Sequence, residues 1–194
     1  MNREALLETL GSHAPSDPRE ADSLERVRRF LEAPANPFAR ENPEGHVTGS
    51  AVVARPDGSA FLLVYHRKLS RWLQPGGHTE EDDASVFDAA LREAQEETGI
   101  VRFDEPLSRS VLDVDVHAIP ARGRDPAHAH FDIRYLLTSS EAEHSGNAED
   151  PRRPMRWVTF EDARKMGVDD SLLRALEKAR ALLAGGLESA AAAD

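Results

Sequence analysis

Apolar positions return along this chain with two different periods, and the change from one to the other divides it. Over residues 1–45 they recur every three or four positions, the spacing of an amphipathic helix. Leu6, Leu7 and Leu10 make a short face; Ala21, Leu24, Val27, Phe30 and Leu31 make a longer one. Asp17 as N-cap, Pro18 at the first helical position and Glu20 three residues past the cap mark where the second helix begins. Pro34 and Pro37 end it. From His46 the pattern becomes that of strands. Residues 47–54 and 61–65 are joined by the turn Arg55-Pro56-Asp57-Gly58, which predicts a hairpin.

Further on, Leu112, Val114 and Val116 alternate with Asp113, Asp115 and His117. The next strand puts His128, His130, Asp132 and Arg134 on one face and Phe131, Ile133 and Tyr135 on the other. Two readings of that polar face stand side by side: the wall of a cleft, with histidines at i and i+2 able to chelate a metal, or the wet side of an antiparallel sheet. Trp157-Val158 gives a short strand, and Thr159, with Asp162 three residues on, caps a helical turn. Asp169 or Asp170 opens a last helix whose buried side is Leu172, Leu173, Leu176, Ala179, Leu182 and Leu183. The organisation expected is a helical extension over residues 1–45, one α/β domain over residues 46–184 and a flexible tail over residues 185–194. Amphipathic stripes usually serve a core, so the extension is expected to pack on the domain. The alternative makes it a homodimer surface or a substrate lid.

Composition narrows the field. The 194 residues carry 24 basic and 35 acidic side chains, a net charge of −11, which argues against nucleic acid or an acidic membrane as partner. A phosphorylated small substrate stays open, because a divalent cation reverses the local sign. Cysteine is absent, so thiol chemistry and disulfides are out. The opening residues lack the apolar run of a signal peptide and no stretch is long enough to span a bilayer; the cytoplasm is the expected location.

The chemistry concentrates in residues 76–100. Gly76-Gly77 opens the stretch, an acidic loop follows, and a helix then ends in Arg92-Glu93-Ala94-Gln95-Glu96-Glu97-Thr98-Gly99-Ile100. At about 100° per residue, Glu93, Glu96 and Glu97 fall within about 100° of arc. Like charges so spaced repel, so a cation among them is the economical explanation, and oxygen ligands suit Mg²⁺ or Mn²⁺. A solvated acidic helix face is the bland alternative for the carboxylates alone.

Taken together, the glycine pair, Arg92-Glu93, Glu96-Glu97 and Gly99-Ile100 resemble the Nudix hydrolase box. There are two departures: Asp83 stands where the pattern has Glu, and eight residues rather than seven separate it from Arg92. They put a role for Asp83 in doubt and leave Arg92 to Glu97 untouched. The resemblance implies the Nudix fold, an α/β/α sandwich around a mixed sheet, and hydrolysis of a nucleoside diphosphate linked to another moiety. It further implies Glu93, Glu96, Glu97 and the Gly76 carbonyl as metal ligands, with Arg92 orienting a neighbouring glutamate. Glu93 matches the residue often taken as base, yet a metal-held carboxylate is a poor one. Glu149 is therefore the candidate base, with Glu141 and Glu143 behind it. His66, Arg67 and His78, together with His128, His130 and Arg134, are candidate substrate contacts; each has an ordinary structural reading too.

No motif names the substrate. Asp115 occupies the position of the ADP-ribose hydrolase proline, and Val116, His117 and Ala118 that of the dinucleoside polyphosphate hydrolase tyrosine. An isopentenyl diphosphate isomerase of this fold would need a cysteine the chain lacks. A catalytically inert Nudix-like binding or regulatory domain is the remaining alternative, and it would be expected to have lost box carboxylates.

Overall fold

The computed structural model describes residues 1–33, 35–67, 69–105, 107–123, 126–141 and 154–191. Two helices lead, α1 (Arg3–Gly11) and α2 (Pro18–Glu32), followed by strands β1 (Gly45–Ala54), β2 (Phe61–His66), β3 (Arg71–Leu73) and β4 (Gly76–His78). Then come α3 (Val86–Thr98), β5 (Val111–Ile119), β6 (His128–Thr138), β7 (Met155–Val158), α4 (Phe160–Lys165) and α5 (Asp170–Ala191). Among the described residues the strands form one seven-stranded sheet in the order β3-β2-β1-β6-β5, with β4 also on β1 and β7 on β2. It is mixed: β1 runs parallel to β6 along its whole length, while β5 is antiparallel to β6. The hairpin expected from the turn at Arg55–Gly58 is short. β2 pairs with β1 only at Leu62 and Phe61, and β4 takes its place beside Thr48, Gly49 and Ser50.

Strand alternation decides what covers each face. Val47, Ala51 and Val53 of β1 and Phe131, Ile133 and Tyr135 of β6 enter one core with α1, α2 and α3. Val52, Ala54, Phe61 and Leu63 enter a second core with α4 and α5. The layers are those of an α/β/α sandwich.

The amphipathic stripe of α2 is taken up within the chain except at Ala21, which stays exposed. Leu24, Val27, Phe30 and Leu31 are all buried, and the Phe30 ring stacks on Phe131 at 3.9 Å. At roughly 1.5–3 kcal/mol for each buried side chain, lifting α2 off would cost ~6–12 kcal/mol, about the stability of a whole domain. That magnitude favours the packing reading over the lid. At the far end, α5 runs from Asp170 through Ala191. Among the described residues no helix is long and apolar enough to cross a membrane.

A buried acid locks α2 in place. Glu20 is fully buried and accepts hydrogen bonds from Ser16 N–H (2.6 Å), Lys178 Nζ (2.6 Å) and the Val114 N–H (3.3 Å), with His13 Nε2 at 2.8 Å. Burial alone would raise its pKa, but the bonds from His13, Lys178 and Ser16 outweigh it and hold the carboxyl well below its ordinary range. A depressed folded-state pKa contributes stability above the ordinary value of 4.5 that is lost as pH falls toward the folded value. Glu20→Gln is therefore expected to cost roughly 3–5 kcal/mol at pH 7, with the gap from wild type narrowing below pH 4.5. Urea denaturation from pH 7 down to pH 3 measures this. A gap that does not change with pH would remove the electrostatic account.

Candidate active site

The site is assembled by letting a helix come closer to backbone than side chains normally permit. A Cβ on Gly49 would lie 2.6 Å from the Val86 carbonyl oxygen, so α3 rests directly on the β1 main chain. Its near side is Val86, Phe87, Ala89, Ala90 and Ala94, all buried. Ser85 caps the N-terminus by accepting from the Asp88 N–H, and Gly99, at φ 70°, closes the C-terminus with a bond to the Gln95 carbonyl. With the apolar side committed to the sheet, Arg92, Glu93, Glu96 and Glu97 are left to meet β4 and the loop that follows it.

There the contacts are specific. Gly76 N–H donates to Glu97 Oε2 at 3.2 Å. A Cβ on Gly77 would stand 2.5 Å from Glu93 Oε1 and 2.7 Å from Oε2, so the carboxylate occupies the space a side chain would fill. Arg92 binds the loop to the helix. Its Nε and Nη2 donate to the two oxygens of Asp83 at 3.1 and 3.0 Å, and Nη2 also donates to the His78 carbonyl at 2.9 Å. Its Nη1 reaches Glu93 at 3.2 Å and Glu96 at 3.1 Å. Asp83, whose role the sequence departures put in doubt, is thus the buried anchor of Arg92, and its Oδ2 also caps the Glu80 N–H at 2.7 Å. A bidentate bond of this kind needs only a carboxylate of the right reach. Aspartate in place of glutamate, with a residue more in the loop, supplies it.

Among the described residues the one Arg92 guanidinium is shared by Asp83, Glu93 and Glu96, with Glu80 farther off at 3.8 Å; Glu97, 7% exposed, accepts from the Gly76 N–H. Burial, reinforced by Glu97 and Glu96 and only partly opposed by Arg92, pushes the Glu93 carboxyl up to about 7. The Asp83 hydrogen bond, with the neighbouring carboxylates, raises the Arg92 pKa above its ordinary value, so the guanidinium stays charged. A half-buried oxygen-only donor set in which, among the described residues, one guanidinium is shared by several carboxylates, cradled where a Cβ is excluded, fits a hard divalent cation such as Mg²⁺ or Mn²⁺. Glu93, Glu96, Glu97 and Gly76 are the residues in position to hold it.

The remaining sequence candidates fall elsewhere. Arg134 is 3% exposed and saturated: it bonds Asp132 at 3.0 Å, Asp113 at 3.2 Å and Ser171 at 3.0 Å. Neither reading of its strand face holds for it, because α5 covers that end of the sheet. It is a framework residue and not a substrate contact. His66 and Arg67 lie at the β2–β3 turn, where His66 Nδ1 accepts from the Leu69 N–H at 3.2 Å. Glu141 is exposed; Glu143 and Glu149 lie outside the described residues. His78 follows the glycine pair directly, but its ring joins His46, His128 and His130 on the sheet face turned away from α3. His46 was not among the sequence candidates. Its register opposite His130 in the parallel β1–β6 pair requires knowing which strands are neighbours.

A profile of the NUDIX domain matches residues 45–177, and the chain belongs to the Nudix hydrolase family. In structure it is similar to a MutT NUDIX hydrolase from Burkholderia pseudomallei, at 26% identity over 68% of this chain and 95% of that one, TM-score 0.51. It is also similar to a hydrolase of the NUDIX family from Clostridium perfringens, at 25% identity over 71% of this chain and 97% of that one, TM-score 0.50. The NUDIX domain of Shewanella oneidensis NrtR, solved with ADP ribose, shares the fold at 23% identity over 71% and 87%, TM-score 0.51. No curated protein matches the chain in sequence.

Gly77→Ala tests the cradle. The added methyl meets the free end of a side chain and not backbone, so Glu93 is expected to swing aside while the fold holds. Mn²⁺ affinity, read by isothermal titration, should fall roughly 10–100-fold with the melting temperature within a few degrees of wild type. Unchanged affinity would show that Glu93 has no need of that position.

Proposed function

We propose that this Nudix enzyme is a divalent-cation-dependent pyrophosphohydrolase that splits the diphosphate bridge of a nucleoside diphosphate derivative, giving two phosphorylated products. The observation that carries the reading is the seat of Glu93 against Gly77, beside Glu97 on the Gly76 N–H. Carboxylates are held against bare backbone at a point where, among the described residues, one guanidinium is shared by Asp83, Glu93 and Glu96.

The substrate is itself polyanionic, so a site rich in carboxylates can receive it only with cations between the two. Mg²⁺ or Mn²⁺, held by Glu93, Glu96, Glu97 and the Gly76 carbonyl, would neutralise the bridging phosphates and lower the pKa of a bound water. The chain's own residues do the positioning. Arg92 fixes Glu93 and Glu96 from one side while Asp83 fixes Arg92 from the other. A guanidinium tied at both ends keeps its neighbours within the narrow tolerances that in-line attack on phosphorus demands. Glu149 remains the candidate base, on the argument that a carboxylate engaged by a cation is a weak one. Binding of a free nucleotide derivative and not of nucleic acid agrees with the net charge of −11.

Incubation with Mg²⁺ and a panel of nucleoside diphosphate sugars, dinucleoside polyphosphates and nucleoside triphosphates, with products resolved by ion-exchange chromatography, is expected to show cleavage within the phosphate chain. Glu97→Gln should lower turnover at least about 100-fold and leave the thermal melt in place. No cleavage of any panel member, or a Glu97→Gln enzyme as fast as wild type, would leave the inert binding domain as the better reading.

A further inference from the structure

Five of the eight histidines in the chain gather on one patch of the sheet. His46 comes from β1, His78 from β4, His117 from β5, and His128 and His130 from β6. The His46 ring centroid lies 4.8 Å from those of His78 and His130 and 5.1 Å from that of His128. His130 lies 5.3 Å from His78 and 5.5 Å from His117. One nitrogen from each of His46, His78 and His130 falls within 4.8 Å of the other two. From this geometry we infer a second metal site, separate from the carboxylates of α3, in which His46, His78 and His130 bind a borderline transition-metal ion such as Zn²⁺.

An independent observation supports a ligand here. His46 is 2% exposed, and neither of its ring nitrogens has a hydrogen-bond partner among the described residues. An imidazole carries at least one N–H, and when neutral one lone pair as well. Buried polar atoms left without partners are uncommon enough to need a cause. A metal ion at the centre of the three rings gives the lone pair of His46 its partner, and those of His78 and His130 likewise.

The donor set selects the ion. Three neutral imidazoles are softer than carboxylates and favour Zn²⁺, Co²⁺ or Ni²⁺ over Mg²⁺. Ligation takes the neutral form of each imidazole, and a buried setting such as that of His46 disfavours the charged one. With Zn–N bonds of about 2.0–2.1 Å, ligand nitrogens of a tetrahedral shell sit about 3.3 Å apart. The rings must rotate inward by an ångström or so from their present spacing. Three histidines leave a fourth position for water or for a substrate oxygen. At the rim, His117 is held by Asp115 Oδ2 at 3.0 Å, the carboxylate–imidazole pairing that orients rings around metals.

Such an ion would bear on the carboxylate site through β4. This strand offers Gly77 to Glu93 on one side and His78 to the imidazoles on the other. A metal joining β1, β4 and β6 through His46, His78 and His130 would fix the strand that receives Glu93.

The test uses the full chain, stripped with chelator, loaded with Zn²⁺ or Co²⁺ in excess Mg²⁺, and dialysed. Elemental analysis is expected to find about one Zn²⁺ per chain in the wild type and in the Glu93→Gln/Glu97→Gln double variant. It should find little in His46→Ala. The Co²⁺ form of both Zn-retaining proteins should show visible d–d absorption. Should His46→Ala fail to fold by circular dichroism, His78→Gln and His130→Gln carry the same expectation, and Zn²⁺ should raise the melting temperature of wild type but not of either variant. Three results would overturn the inference: a wild type retaining no Zn²⁺, histidine variants retaining it in full, or loss of Zn²⁺ in the carboxylate variant with the histidines intact. The outcome is independent of whether the diphosphate hydrolase reading holds.

Discussion

The constraint on which the active site depends is an absence of atoms. Gly49 lets α3 lie on the β1 backbone, and Gly77 leaves room for the Glu93 carboxylate. Everything charged follows from that approach. Were the helix an ångström or two farther out, Gly76 N–H could not reach Glu97 and Arg92 could not reach both Asp83 and the His78 carbonyl. The glycines also determine the electrical state of the site. Holding Glu93 against main chain strips water from it, and this loss of water does most to raise its pKa. The same contact that positions the carboxylate thus makes it a costly place for negative charge, and a divalent cation relieves that cost.

The opposite face of the sheet handles buried polarity in two ways. At the end covered by α5 the charges are tied into one network: Arg134 is ringed by Asp113, Asp132 and Asp115, and Arg174 adds two bonds to Asp113 at 2.8 and 3.0 Å. Asp132 also accepts from Thr48, Ser50 and Gln74. Breaking such a network would leave an unpaired buried charge, so it belongs to the framework. Toward the start of β1 that network stops, and the side chains become imidazoles, of which His46 has neither nitrogen hydrogen-bonded among the described residues. The boundary between the two regimes runs between Thr48 and His46, two residues on one strand.

Much of this was legible in the sequence, and the limits have a physical cause. Period-two alternation correctly assigned Phe131, Ile133 and Tyr135 to the core and His130 and Arg134 to the other face, because side-chain direction on a strand is local. The cap at Asp17 and the box from Arg92 to Glu97 were local too, and both could be read. What covers a face is not local. Arg134 is sealed in by a helix that starts at Asp170, and nothing near residue 134 announces it. His46 shows the same limit: its ring partners are 32, 82 and 84 residues away in sequence (46 to 78, 128 and 130), and only the parallel pairing of β1 with β6 joins them. Asp83 was undervalued for a different reason. A motif read by spacing penalises an insertion, whereas a guanidinium requires only that a carboxylate arrive within 3 Å.

β4 lies between the carboxylates of α3 and the histidine cluster. It is three residues long, and as a piece of sheet it contributes little. Its two outward directions nevertheless carry different chemistry: hard oxygen donors on the side of Gly77, borderline nitrogen donors on the side of His78. A strand so short cannot hold itself in place by its own ladder of hydrogen bonds to β1 alone. It is held by what grips it from each side. Arg92 takes the His78 carbonyl and Glu97 takes the Gly76 N–H, so the α3 side already has two fastenings. On the far side the rings of His46 and His130 approach His78 without a hydrogen bond from His46 to secure them. That asymmetry is the physical reason to look for an ion there: the strand that aligns the carboxylates is pinned from one face, and on the other His46, His78 and His130 bring their ring nitrogens within 4.8 Å of one another.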